Sequence, residues 1–159
     1  MLIEKFFEEI SDIPDKNRGG CLFFCYSFWK YCKKNGAPLD TFDVFQWEAH
    51  HENGKISTNL EFLHCSGDDV DSSAHFAWTF EGKLYDGNGE TTFEKTTWNN
   101  DTYENITRGN HEKLEEFFLL SLNADLWNPT FRRNSAINIL KERLELDLEE
   151  VEDKFYTLY

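Results

Sequence analysis

The amino-acid sequence predicts a protein of the α+β class, with helices at both ends of the chain and an antiparallel sheet between them. Apolar residues recur at helical spacing near the two ends, whereas the middle is rich in β-branched and aromatic residues separated by turn dipeptides. Of the 159 residues, 40% are hydrophobic, which is enough to bury one core. We therefore expect residues 1–159 to form a single domain.

Two helices are predicted at the beginning of the chain. Across Leu2–Asp12 the apolar residues are spaced three and four apart, and Pro14 marks the exit. A second helix is predicted over Cys21–Lys34, because it follows the break at Gly19-Gly20 and ends at the C-terminal signal Asn35-Gly36. Its strongly apolar composition indicates a buried helix.

The middle of the chain begins with a predicted hairpin. Thr41–Ala49 and Lys55–Cys65 carry β-branched and aromatic side chains, and the connecting segment His50–Gly54 ends in a turn dipeptide. We expect these two strands to pair with each other. Further along, Thr91–Thr96 is another strand candidate, whereas Trp98–Arg108 is polar and is predicted to be turn-like.

Two more helices are predicted after the sheet, over His111–Leu122 and Ser135–Leu146. The tail Asp147–Tyr159 is expected to extend the last of them. We therefore expect residues 111–159 to form a C-terminal helical extension of the domain.

A second hairpin is predicted with Glu81-Gly82 as its two-residue turn. Counting outward from this turn pairs Ala77 with Asp86 and His75 with Asn88, and paired residues face the same side of the sheet. The alternate residues Ala74, Phe76, Trp78 and Phe80 form an apolar opposite face. The face of His75 is therefore expected to hold polar groups and to be approached by another element.

The beginning of the second helix is a candidate nucleophile site. A cysteine attacks as the thiolate, and the N-terminus of a helix stabilises negative charge. Cys21 has this position, Gly19-Gly20 leaves room for a substrate carbonyl, and the Cys21 N–H is placed to stabilise an oxyanion. Asn17 is a further candidate donor. The alternative is that Gly19-Gly20 is only a turn and Cys21 a buried structural cysteine.

His75 is the candidate general base, and Asp86 or Asn88 is the candidate group that orients its ring. Asp86 would be a diagonal neighbour of His75 in the predicted register, and Asn88 would lie directly across from it. The alternative reading is that residues 86–89 are turn chemistry and that His75 falls on a strand without a catalytic role.

The stretches Gly19-Gly20-Cys21 at a helix start, Ala74–Trp78 and Gly82–Asp86 together resemble the papain-like and transglutaminase-like superfamily of cysteine hydrolases and acyltransferases. The resemblance covers residues 17 to 89 and implies a papain-like core, with Cys21 as nucleophile, His75 as base and Asp86 as orienter.

Composition limits the partners that this chain can have. It carries 30 acidic against 16 basic residues, for a formal charge of −14, which repels nucleic acid and anionic membranes. The N-terminus has neither a signal-peptide nor a transmembrane pattern, and three of the four cysteines share one helix, so we expect a reduced, cytoplasmic protein. No CxxC pair or HxxxH spacing is present, so neither a metal nor a cofactor is predicted.

The predicted function is acyl transfer to Cys21 by a peptidase or amidase acting on a protein or peptide substrate. Transglutamination and deamidation use the same groups and stay open as alternatives. The alternative of another class is a non-enzymatic acidic binding or inhibitor protein that blocks a basic site on a protein partner.

Overall fold

The computed structural model describes residues 2–14, 16, 21–48, 55–60, 75–93, 105–116 and 133–148. Its longer helices are α1 (Leu2–Ile10), α2 (Cys21–Lys34) and α3 (Arg133–Leu144). Its strands are β1 (Asp43–Glu48), β2 (Lys55–Leu60), β3 (His75–Phe80), β4 (Lys83–Asp86), β5 (Gly89–Thr91) and β6 (Asn105–Asn110). The predicted α+β class is confirmed.

The six strands form one sheet in the order β2-β6-β1-β3-β4-β5. From β6 to β5 each strand is antiparallel to its neighbour, while β2 at the other edge is parallel to β6. The predicted hairpin of Thr41–Ala49 with Lys55–Cys65 is therefore wrong, because β6 lies between β1 and β2. The sheet is antiparallel except at this edge.

The strand β6 also corrects the prediction of a turn-like segment over Trp98–Arg108. Its sequence, NITRGN, contains one apolar residue, so neither pattern nor composition indicated a strand. In the fold it hydrogen-bonds β1 on one side and β2 on the other. Ladder hydrogen bonds on both sides outweigh the weak β-propensity of these residues.

The core of the domain is aromatic and lies between the sheet and the helices. Phe28 of α2 is fully buried, with its ring 5.6 Å from that of Trp78 and 5.4 Å from that of Phe80. Phe6 of α1 meets the ring of Phe28 edge-on at 5.1 Å. Burying each such side chain contributes roughly 1.5–3 kcal/mol, so this layer anchors α2 to β3.

The C-terminal helix α3 packs into the same core as the N-terminal helices. Its buried face consists of Ala136, Ile137, Leu140 and Leu144. At the surface, Arg143 pairs with Asp12 at 2.7 Å and donates to the carbonyl of Glu9 at 2.8 Å. The helix predicted over Ser135–Leu146 is present, but it begins and ends two residues earlier.

The tail after α3 leaves the helical path. Glu145 has a left-handed backbone with φ 54°, and residues 145–148 are not helical. Lys34 donates to the carbonyl of Glu145 at 2.6 Å, and Lys30 to that of Asp147 at 2.7 Å. The expectation that the tail Asp147–Tyr159 extends the last helix is wrong for residues 147 and 148, because the helix ends in a left-handed cap at Glu145, whose N–H donates to the Lys141 carbonyl. Residues 149–159 lie outside the described residues.

Two other predicted elements are partly covered by the described residues. The helix expected over His111–Leu122 begins as a 3-10 turn at His111–Lys113 and remains helical to Glu116, with the rest outside the described residues. The strand candidate Thr91–Thr96 shares only Thr91 with β5, because Thr92 and Phe93 lie outside the ladder. Residues 94–96 are outside the described part of the chain.

Cys21, Cys25 and Cys32 are buried, and none of them forms a disulfide among the described residues, while Cys65 lies outside those residues. Among the described helices, none combines the length and apolar character that crossing a bilayer requires.

Candidate active site

The hairpin of β3 and β4 brings His75 and Asp86 to one face of the sheet. Its turn has positive φ at both central residues, 51° at Glu81 and 80° at Gly82, as a tight two-residue hairpin requires. The predicted register is confirmed by three pairs: Trp78 with Tyr85, Thr79 with Leu84, and Phe80 with Lys83. Because side chains alternate along a strand, Asp86 shares the face of His75.

The predicted pairing of His75 with Asn88 does not form. The chain turns after Asp86, which pairs with Gly89 in the hairpin of β4 and β5. The Asn88 side chain is exposed, and its backbone N–H donates to Oδ1 of Asp86 at 2.8 Å. Asn88 therefore contacts the candidate orienter through the main chain, in place of contacting the imidazole through its side chain.

The two ionisable groups of the hairpin face each other. Nε2 of His75 lies 3.8 Å from Oδ2 of Asp86, and the side chains are only 8% and 10% exposed. This distance exceeds that of a hydrogen bond, so the contact is an electrostatic one. Because both groups are nearly buried, solvent and salt screen their attraction weakly.

Cys21 meets His75 where α2 and β3 begin. Each is the first residue of its element, and at the far end of α2 the Cys32 thiol interacts with Glu81 in the hairpin turn. The helix α2 therefore runs alongside β3 and parallel to it. It packs on the Trp78 face of the sheet through Phe28, and its first residue, Cys21, contacts His75.

The protonation of His75 follows from its two polar neighbours. Burial of the ring lowers the pKa of His75, but contacts with the Asp86 carboxylate and the Cys21 thiol raise it, and the outcome is a pKa of about 9. At neutral pH the ring is thus an imidazolium between a carboxylate and a sulfur. This is the charge arrangement that stabilises a thiolate.

The other described thiols have a different environment. Burial raises the pKa of Cys25 well above its usual value, with a smaller contribution from Cys21. Burial and then the charge of Glu81 raise the pKa of Cys32 to about 12. Both remain protonated at neutral pH, as expected for cysteines of the core.

Some predicted parts of the site lie outside the described residues. Asn17, Gly19 and Gly20, the candidates for oxyanion stabilisation and substrate access, are not among the described residues. Within the described segments, no group of three or more His, Cys, Asp or Glu side chains is arranged to hold a metal ion.

Sequence reasoning missed the main-chain contact between Asn88 and Asp86. The signal was present in Asp86-Gly87-Asn88-Gly89, because an aspartate before a turn commonly accepts the N–H two residues ahead. The same four residues support the alternative reading of turn chemistry without a site, whereas in the structure the turn donates a hydrogen bond to the candidate orienter Asp86.

No protein-family model, curated protein or solved structure matches this chain.

Proposed function

We propose that this protein is a cysteine-nucleophile acyl-transfer enzyme, with Cys21 as nucleophile, His75 as acid and base, and Asp86 as the group that orients His75. The observation that carries the proposal is one buried imidazole in contact with both a thiol at a helix start and a carboxylate on the paired strand. Three side chains with these roles are what activation of a nucleophile requires.

The proposed reaction proceeds in two halves. The Cys21 thiolate attacks an amide carbonyl carbon, forming a C–S bond and an oxyanion. When the carbonyl re-forms, the C–N bond breaks and the amine leaves with the proton of the His75 imidazolium. His75 then takes a proton from water, whose oxygen attacks the thioester carbonyl. The C–S bond breaks, the acid is released, and Cys21 and His75 return to their starting forms.

A papain-like or transglutaminase-like arrangement is part of the proposal. It is supported by the chain order of a cysteine opening a helix, a histidine on a strand and an aspartate on the next strand. We favour hydrolysis of an amide in a protein or peptide, because water is the acceptor that needs no binding site of its own. Free thiols suit a reducing compartment such as the cytoplasm.

The experiment is alkylation of the native protein by iodoacetamide at pH 7, with the modified residues located by mass spectrometry. Cys21 is expected to react first, because it alone of the described thiols contacts an imidazolium. His75→Ala should slow the labelling of Cys21 at least about tenfold, since it removes the group that stabilises the thiolate. Cys25→Ala is the matched control and should leave the labelling rate of Cys21 unchanged.

The rival function gives a different result. An acidic protein that only blocks a basic partner, in keeping with the charge of −14, needs no reactive thiol. Labelling of Cys21 no faster than that of Cys25 and Cys32, with no effect of His75→Ala, would exclude the enzyme and favour the binder.

A further inference from the structure

The turn between β4 and β5 divides the two oxygens of Asp86 between different partners. Oδ1 accepts the backbone N–H of Asn88 at 2.8 Å, and Oδ2 faces Nε2 of His75 at 3.8 Å. Asp86 is the last residue of β4 and its side chain is 10% exposed. Little water is therefore available to replace the main-chain donor.

The hydrogen bond to Oδ1 fixes a rotation that the strand leaves free. The backbone of β4 sets where the Asp86 side chain starts, but the carboxylate can still rotate about its last bond over a broad range. A donor held rigidly on one oxygen removes this freedom and determines where the other oxygen points. The N–H of Asn88 can be this donor because the turn that contains it is closed by the pairing of Asp86 with Gly89. Gly89 has a φ of 115°, which glycine adopts more readily than other residues.

We infer that the backbone N–H of Asn88 is a positioning group: by holding Oδ1 it keeps Oδ2 of Asp86 directed at His75, so that the β4–β5 turn controls how firmly the imidazole retains its proton. The groups that face His75 in this account are Asp86 from β4 and Cys21 from α2. The catalytic consequence rests on the proposed function, but the effect on His75 does not and can be measured without turnover.

The test removes the N–H alone. Replacing Asn88 by its α-hydroxy acid analogue converts one amide into an ester and preserves the side chain, whereas Asn88→Ala preserves the N–H and removes the side chain. The pKa of His75, about 9 in the intact protein, is followed by NMR titration of the imidazole. We expect it to fall by about half a unit or more in the ester protein, which is about a threefold change in proton affinity, and to stay unchanged in Asn88→Ala.

Two outcomes would overturn the inference. One is a pKa of His75 that is equal in the ester protein and the intact protein. The other is a pKa that moves in Asn88→Ala as far as in the ester, which would assign the effect to the exposed side chain.

A second measurement needs no unnatural residue. Amide hydrogen exchange at Asn88 should be slow in the intact protein and about tenfold or more faster in Asp86→Ala, because the N–H loses its acceptor. The amide of Tyr85, which lies within the β3–β4 hairpin, reports whether the strand is intact in this variant. Unchanged exchange at Asn88 with Tyr85 still protected would also overturn the inference.

The outcomes separate the inference from the proposed function. If Cys21 is not preferentially alkylated but the pKa of His75 falls in the ester protein, the positioning role stands and the enzyme proposal fails. If Cys21 is preferentially alkylated and the ester has no effect on His75, the enzyme proposal stands and the positioning role fails.

Discussion

Asp86 reaches His75 across the β3–β4 hairpin, with Oδ2 3.8 Å from Nε2 and both side chains nearly excluded from solvent. Burial alone would leave the imidazole neutral, since removing water penalises its charged form. Asp86 and Cys21 reverse that outcome and bring the pKa of His75 to about 9. The charge of this ring is therefore a property of the fold and depends on the strands remaining paired.

Protein stability should fall as the pH rises through the pKa of His75. That pKa is about 9 in the folded protein against 6.5 without the fold, so the folded state holds the proton more tightly. The stabilisation is fully present below pH 6.5 and is lost as the pH passes 9. We expect a loss on the order of 3 kcal/mol in the free energy of unfolding, measured by urea denaturation at pH 6 and pH 10.

His75→Gln is the control for this measurement, because other groups also titrate above pH 9. The variant should lack the part of the loss that belongs to the imidazole, so its pH dependence should be shallower than that of the intact protein. Parallel curves for the two proteins would contradict the raised pKa of His75.

Cys25 and Cys32 should be unreactive in the native protein at pH 8 and should react fully in denaturant. Burial raises the pKa of both thiols, which leaves almost no thiolate to react. The measurement is alkylation in native buffer and in urea, followed by tryptic mapping. Cleavage after Arg18 and Lys30 places Cys21 and Cys25 on one peptide, so Cys21→Ala reports on Cys25 alone. Equal modification of Cys25 in the two conditions would contradict its burial in the core.

Phe28→Ala should destabilise the protein by about 3–5 kcal/mol, because it removes a fully buried ring from the layer between α2 and the sheet. Phe93→Ala is the matched control: Phe93 is 39% exposed and is expected to cost less than about 1 kcal/mol. Urea denaturation measures both. Similar losses for the two variants would show that Phe28 does not anchor α2.

The elements that the sequence predicted well depend on local chemistry. The bounds of α2 follow from a glycine break before Cys21 and the Asn35-Gly36 signal after Lys34, and both act within one turn of the helix. The β3–β4 register follows from Glu81-Gly82, because a two-residue turn fixes which residues face each other. The predicted juxtaposition of two of the three candidate catalytic residues, His75 and Asp86, depends on this one turn.

The elements that were not predictable from the sequence depend on contacts between distant segments of the chain. Because β1 and β2 are neighbours in the sequence, local patterns favour pairing them as a hairpin. In the structure β6, which begins about fifty residues after the start of β2, lies between them. The predicted pairing of Asn88 with His75 is wrong because it requires a strand that continues past Asp86, whereas β4 ends at Asp86.

The central position of β6 predicts the effect of a proline at Thr107. This residue pairs with Gln46 of β1 and with Ser57 of β2, so its strand is hydrogen-bonded on both sides. Proline lacks the N–H, and its ring is not tolerated in the interior of a sheet, so Thr107→Pro should lower the free energy of unfolding by roughly 1–3 kcal/mol or more. Thr107→Val keeps both the N–H and a β-branched side chain and should retain most of the stability. The comparison is made by urea denaturation with circular dichroism, and a proline variant as stable as the valine variant would mean that β6 does not lie between β1 and β2.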